Sequence, residues 1–396
     1  MIVPANRLAL LENGTQYFPA LLAAIDSAEV EVRLESYLYE ADEVGLAVAE
    51  ALMRAAARGV RVYLLLDGFG ASGFSRELAE RLSAAGVAWR HYRPERGLLR
   101  LRRHRLRRLH RKLVAVDGRV AFVGGINIIA DDNAPGHPSH RYDYAVRVEG
   151  PLVHEIHAAM RRLWWLVEWS RSGRRASMGP AFPVPAAAGT QAAELLLRDN
   201  WRHRRRIEEA YFKAIRDAKH EIIIANAYFL PGRRFRHALA EAAQRGVRVV
   251  LLLQGRIEYR IQHYATLALY RFFLERGVEI YEYRSSFLHA KVAVVDRSWA
   301  TVGSSNIDPF SLVLAREANI AVHDRAFASD LHARIFAALR AGAHQVHRLP
   351  WRLLPWHRRA LAWLGYGVVR ALAGLVGYAR EFGGVDGDVP GGMKNR

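Results

Sequence analysis

Apolar residues in this chain gather into short runs bounded by turn residues, and these runs alternate with Ala-rich stretches of helical spacing. Val30 to Leu38 and Glu221 to Leu230 are two such runs, each followed by an Ala-rich stretch. Val60 to Leu66 and Val247 to Leu253 come next and read as buried-type strands. Each is succeeded by a further helix that ends at Gly86-Val87 or at Gly277-Val278. Strands that alternate with helices predict an α/β fold whose sheet is covered on both faces. Between the two series, Arg171 to Thr190 (RSGRRASMGPAFPVPAAAGT) is rich in Gly, Pro, Ala and Ser and lacks periodicity. That composition predicts a linker.

The pattern occurs twice because the sequence does. AAARGVRVYLLLDG (Ala55 to Gly68) returns as AAQRGVRVVLLLQG (Ala242 to Gly255). HRKLVAVDGRVAFVGGINI (His110 to Ile128) returns as HAKVAVVDRSWATVGSSNI (His289 to Ile307). Two segments that recur in the same order at nearly the same offset mark a tandem duplication. The expected division is residues 1–170, a linker at 171–190 and a second copy at 191–345. Beyond it lie an apolar and basic segment at 346–382 and a disordered tail at 383–396.

Composition narrows the class of partner. The 396 residues include 58 Lys and Arg against 39 Asp and Glu, a formal net charge of +19. Such a field favours a polyanion, whether nucleic acid, an anionic membrane surface or a phosphorylated substrate, and argues against neutral metabolites. With no cysteine in the chain, disulfides, thiolate metal sites, iron–sulfur clusters and cysteine nucleophiles are excluded. Met1 to Asp26 does not read as a secretory signal, since Glu12 and Asn13 interrupt it and no basic start precedes an apolar run. Nine Arg and Lys, interleaved with leucines, fall between Arg96 and Lys112. This stretch predicts a rim that gathers anionic lipid headgroups, each basic residue contributing about 1 kcal/mol near the bilayer. It lacks the aromatic residues on which bases would stack, so no nucleic-acid partner is expected. The tail from Ala360 to Ala379 is apolar except for Arg370 and follows the Trp- and Arg-containing PWRLLPWHRR. A central Arg costs about 2.5 kcal/mol or more in a spanning helix, so the tail predicts a segment lying in the membrane interface.

The duplicated element carries the chemistry. His110 and Lys112, like His289 and Lys291, are two residues apart in otherwise apolar strands, which places imidazole and ammonium on one face. Asp117 and Asp296 follow seven residues after each histidine, where the strand should end. A Gly-rich turn then leads to Asn127 or Asn306. Two such sets facing one another supply two imidazoles, two fixed cations and two amide donors. That is sufficient for phosphodiester chemistry with neither metal nor cofactor. One histidine attacks phosphorus while the other protonates the leaving alkoxide and later deprotonates the acceptor. Lys and Asn meanwhile stabilise the charge growing on the non-bridging oxygens. Neither a Gly-x-Ser-x-Gly elbow nor a His-Glu-x-x-His zinc pattern occurs.

The motif His-x-Lys-x4-Asp-x6-Gly-[Gly/Ser]-x-Asn, present twice, resembles the signature of the phospholipase D superfamily. LLENGTQYFPALLAAI, IIIANAYFLPG, RYDYAVRVEGP and TVGSSNIDPFSLVLAREANIAVHDRAF extend the similarity over nearly the whole chain to its bacterial cardiolipin synthase branch, B type. The resemblance implies two similar α/β/α sandwich domains, each a mixed sheet flanked by helices, related by a pseudo-twofold axis with one active site between them. It implies His110 as nucleophile and His289 as acid and base, with Lys112, Lys291, Asn127 and Asn306 as phosphate binders. It also implies Asp143 and Glu317 as the carboxylates orienting the imidazoles; their places in the two halves suggest Asp143 behind His110 and Glu317 behind His289. Asp117 and Asp296 belong to the catalytic motif, where they are expected to anchor the strand and turn. Two positions depart from the pattern: Gly125 stands where the second copy has Ser304, and Ala315 where Asn is expected. The implied reaction converts two phosphatidylglycerol molecules to cardiolipin and glycerol through a phosphohistidine. The alternatives are a phospholipase D-type hydrolase or nuclease using water at the same site, or a non-catalytic lipid-binding module. The implied setting is the bacterial inner membrane, with anionic phospholipid as partner and attachment that is peripheral or through the tail.

Overall fold

The computed structural model describes residues 1–94, 107–133, 140–172, 179, 181–199, 203–256, 260–308, 315–347, 364 and 367. The chain opens with β1 (Val3–Glu12), α1 (Asn13–Asp26), β2 (Glu31–Ser36) and α2 (Glu43–Ala57). β3 (Arg61–Asp67), α3 (Arg76–Ala84) and β4 (Ala88–Tyr92) follow. Then come β5 (Lys112–Val116), β6 (Val120–Gly124), the short β7 (Arg141–Tyr142), β8 (Tyr144–Glu149) and α4 (Leu152–Ser172). The second series begins with β9 (Gln191–Arg198), α5 (Arg206–Asp217), β10 (Glu221–Asn226) and α6 (Arg233–Gln244). It continues through β11 (Arg248–Gln254), α7 (Arg260–Leu274), β12 (Glu279–Tyr283) and the short β13 (Phe287–Leu288). β14 (Lys291–Val295), β15 (Trp299–Gly303), β16 (Glu317–His323), α8 (Arg325–Gly342) and β17 (Ala343–Gln345) complete it.

Fifteen of these strands form one sheet, in the order β17-β12-β11-β10-β14-β15-β16-β9-β1-β8-β6-β5-β2-β3-β4. At its centre β1 and β9 pair antiparallel, Val3 opposite Ala193 and Asn6 opposite Gln191. Outward from that seam, β9-β16-β15-β14-β10-β11-β12 matches β1-β8-β6-β5-β2-β3-β4 strand for strand. The duplication in sequence is therefore a pseudo-twofold in topology. Each half is mixed: β2-β3-β4 and β10-β11-β12 are parallel, the rest antiparallel.

Helices cover both faces. One face packs against α4 and α8 through Leu152, Ile156, Met160, Phe327, Leu331 and Ile335. The other is covered by α1 to α3 in the first half and α5 to α7 in the second. All six residues of β2 are buried even though Glu31, Arg33 and Glu35 alternate with Val32 and Leu34, their charges being neutralised in buried ion pairs. Helix starts are fixed locally: Asp42, Ser75 and Asp324 accept the backbone N–H of Gly45, Leu78 and Phe327.

The apolar runs read as Val30 to Leu38 and Glu221 to Leu230 are shorter as strands, ending at Ser36 and Asn226. Beyond them the chain turns toward the repeated Asn, Leu38 N–H donating to Asn127 Oδ1 at 3.1 Å. Residues 181–190 contain no helix or strand. Most of the 346–382 segment, and all of 383–396, lie outside the described residues. No described helix is long and apolar enough to cross a membrane.

Candidate active site

The two histidines stand just before β5 and β14, not within them, and the reason is a contact between the halves. His110 N–H donates to Arg316 O at 2.9 Å, and Leu109 forms an isolated parallel bridge with Arg316. His289 N–H donates to Tyr142 O at 2.8 Å, with Leu288 opposite Tyr142 in the β13–β7 pair. Each histidine is thus hydrogen-bonded to the residue preceding a carboxylate of the other half. That backbone pairing threads Glu317 behind His110, whose Nδ1 lies 3.0 Å from the carboxylate. It threads Asp143 behind His289, with Nδ1 to Oδ2 at 2.6 Å. The same-half pairing expected from sequence is wrong: the carboxylates are exchanged across the pseudo-twofold. Chain order could not reveal this, because the pairing depends on two bridges between segments about half a chain apart.

Burial governs the protonation of the site. It pushes the His110 imidazole below its ordinary value, with Glu317 pulling upward and Lys112 downward. His289 is driven well below, first by burial and then by the charges of Lys291, Arg141, Lys112 and His110. Burial brings Lys112 down to about 7, against the pull of Glu317. Asp143 is raised to about 6 by burial, opposed by Lys291. A bound phosphodiester would shift these equilibria toward the charged forms of the bases. Lys112 donates to His110 O at 2.6 Å, while Lys291 lies 2.9 Å from His289 Nδ1 and 3.7 Å from Asp143.

The departures noted in sequence now have structural meaning. Ser304 donates its hydroxyl to Glu317 Oε2 at 2.5 Å, so the buried carboxylate is held from two sides. At the equivalent Gly125 a Cβ would come within 2.3 Å of Asp143 Oδ1, so the glycine makes room for that carboxylate. Ala315 is buried and its carbonyl accepts from Arg198. Asp117 and Asp296 lie apart from the imidazoles and anchor turns. Asp117 accepts the N–H groups of Glu29, Val30 and Glu31, and Asp296 those of Lys219, His220 and Glu221.

A cleft of about 570 Å³ opens between the halves, and both His110 and His289 line it together with Asn127. Asn306 is buried, and its Oδ1 has no hydrogen-bond partner among the described residues. Part of the basic stretch is not rim at all: Arg111 is buried against Glu35, with Nη2 to Oε1 at 2.8 Å. Residues 95–106 lie outside the described residues, and Arg108 stacks over the exposed Phe69 ring at 4.6 Å beside the cleft.

Sequence reasoning passed over several residues that build the site. Asp67 is fully buried and accepts from Leu109 N–H at 2.7 Å, fixing the residue before His110. Gln254 does the matching work, donating to Leu288 O at 3.1 Å. The signal was present, since both lie near the end of the repeated LLLDG/LLLQG segment. Tyr37 stands 4.9 Å from the His110 ring, and Arg141 lines the cleft beside His289. Neither position repeats in the second half, so the duplication gave no indication of them. Among the described residues no group of three or more His, Cys, Asp or Glu is placed to hold a metal ion.

A family model described as "Cardiolipin synthase, PLD-like domain" matches residues 21–164 and 211–339. Cardiolipin synthase B of Escherichia coli K12 is 40% identical over 383 residues, 94% of this chain and 90% of that protein. A cardiolipin synthase of Geobacillus kaustophilus is 33% identical over 317 residues, 80% of this chain and 62% of that protein. Among solved structures, phosphatidylserine synthase of Haemophilus influenzae Rd KW20 superposes with a TM-score of 0.70. That likeness covers 94% of this chain and 95% of the other at 13% identity, which speaks to the fold alone. Because the family model claims both halves and the Escherichia coli relative aligns almost end to end, the chain belongs to the cardiolipin synthase family of phospholipase D-like proteins.

Proposed function

We propose that this protein is a phosphatidyltransferase that makes cardiolipin from two molecules of phosphatidylglycerol. The observation that carries the reading is the pair of imidazoles opening into one cleft, each backed by a carboxylate from the opposite half. Nε2 of His110 attacks the phosphorus of the first lipid, and the P–O bond to its glycerol headgroup breaks. His289 gives its proton to the departing glycerol oxygen. The phosphatidyl group is then held on His110 by a P–N bond, and the imidazolium so formed is stabilised by Glu317. His289, now neutral, takes the proton from a headgroup hydroxyl of the second lipid. That oxygen bonds to phosphorus, the P–N bond breaks, and His110 returns to its starting state. Lys112, Lys291, Asn127 and Asn306 offset the charge on the non-bridging oxygens in both steps.

In this reading residues 1–170 and 191–345 are the two catalytic halves, 171–190 joins them, and 346–382 attaches the chain to an anionic bilayer. The repeat in strand order supports the first division, and the apolar and basic composition of the tail supports the last. The test is incubation of the full chain with phosphatidylglycerol vesicles and identification of products by mass spectrometry. Cardiolipin and glycerol in equal amounts are expected. Phosphatidic acid in place of cardiolipin would show a hydrolase instead.

A further inference from the structure

The site is symmetric in its histidines and lysines, but one cation in the cleft has no counterpart among the described residues. Arg141 lines the cleft together with His289 and Asn127, and also lines the small adjoining cavity with Asp143. It sits on β7, directly opposite Phe287 in the pair that leads into His289. The backbone pairing that equates Tyr142 with Arg316 makes Ala315 the equivalent of Arg141. Ala315 is buried, and the neighbouring Arg316 is committed to the Tyr92 hydroxyl at 3.1 Å. The His289 side therefore carries a guanidinium where the His110 side carries a methyl group. Burial raises the carboxyls of Glu40 and Asp131, and the charge of Arg141 acts against it to lower them.

Transfer between two phosphatidylglycerol molecules brings two phosphodiesters into one cleft. The donor phosphate is served by His110, the lysines and Asn127. The acceptor brings a second anion whose hydroxyl, a few bonds away, must reach the base His289. A second anion drawn out of bulk water needs a compensating charge, and a guanidinium suits it because its planar fork binds two phosphate oxygens at once. We propose that Arg141 holds the phosphodiester of the acceptor lipid and so places that lipid's headgroup hydroxyl against His289. The inference rests on the phosphatidyl-transfer reading above and deepens it. Water and neutral alcohols gain nothing from Arg141, so the residue selects an anionic acceptor and favours synthesis over hydrolysis.

The experiment lets two acceptors compete for one intermediate. Phosphatidylglycerol vesicles are supplied with ethanol, and the ratio of cardiolipin to phosphatidylethanol is measured for the wild type, Arg141→Ala and Arg141→Lys. Arg141→Ala is expected to lower the ratio at least tenfold, the loss of about one charge-assisted hydrogen bond. Arg141→Lys should recover part of it. An unchanged ratio overturns the inference, because a role in folding or in holding the donor phosphate lowers both products together. If Arg141→Ala yields neither product, the ratio in Arg141→Lys decides: at the wild-type value, or with neither product again, the inference fails. A wild-type protein that transfers phosphatidyl groups to neither acceptor would instead overturn the phosphatidyl-transfer reading itself.

Discussion

Lys112 and Lys291 occupy equivalent places two residues beyond their histidines, and both are buried. Burial costs the charged form of a base, which is why Lys112 comes down to about 7 and both imidazoles fall below their ordinary range. Near neutral pH the empty site thus carries less charge than its formula suggests. An arriving phosphodiester favours the protonated forms, so binding takes up protons and affinity falls as pH rises through neutrality. Calorimetry with a dialkyl phosphate, in two buffers of different ionisation enthalpy just above neutral pH, should report that uptake. Equal heats in both buffers would contradict it. The exchanged carboxylates give a second prediction. Glu317→Gln should impair His110, and Asp143→Asn should impair His289, each by on the order of 100-fold or more, as when an orienting carboxylate is lost from other histidine sites. A donor with a p-nitrophenolate leaving group needs no acid. It should restore nitrophenol release to Asp143→Asn and leave Glu317→Gln slow; the opposite pattern would assign the carboxylates the other way.

The strand and turn of each repeated element show what single-chain patterns can and cannot say. Asp117 and Asp296 sit at positive φ, 51° and 49°, in the tight turns after β5 and β14. Each accepts three backbone N–H groups, a structural task that their fixed spacing from the histidine already suggested. Burial pushes the Asp296 carboxyl up, but those three N–H donors hold it below its usual range on balance. A carboxyl lowered on folding stabilises the protein above its unfolded pKa, and that contribution is lost as pH falls through the folded value. Asp296→Ala should therefore destabilise the fold at neutral pH by about 1 kcal/mol, since water can satisfy the exposed N–H groups of Lys219 and His220, and by less in acid. Urea melts at the two pH values check this, and a penalty that does not change with pH would count against it. Periodicity correctly indicated buried strands at β3 and β11, since their residues are apolar on both faces. It placed the histidines inside strands, whereas β5 and β14 begin at the lysines. The residues before those lysines pair with the opposite half, and no local pattern encodes such a partner.

Across the whole molecule, the pseudo-twofold was legible because sequence and strand order repeat together, seven matching strands on each side of the β1–β9 seam with β17 added at one edge. What breaks the symmetry was not legible, since Tyr37, Arg141 and the exchange of carboxylates depend on packing between the halves. Charge is also distributed less simply than a net +19 suggests. Arg33 and Arg111 are buried in ion pairs with Glu31 and Glu35, so they add nothing to the outer field. The excess that remains should draw the protein to anionic vesicles, and that attraction should weaken steeply between low and physiological salt. Co-sedimentation across a salt series measures it, and binding insensitive to salt would remove surface charge from the account. The central claim, one composite site with a covalent intermediate on the first-half histidine, is tested most directly by trapping. His289→Ala is incubated with a labelled phosphatidyl donor bearing a p-nitrophenolate leaving group, which needs no acid, then denatured at mildly alkaline pH, where the P–N bond survives, and mapped by peptide. The account predicts label on the peptide containing His110, slow to turn over. Label trapped on His289 in the converse His110→Ala protein, with none on the His110 peptide of His289→Ala, would contradict it.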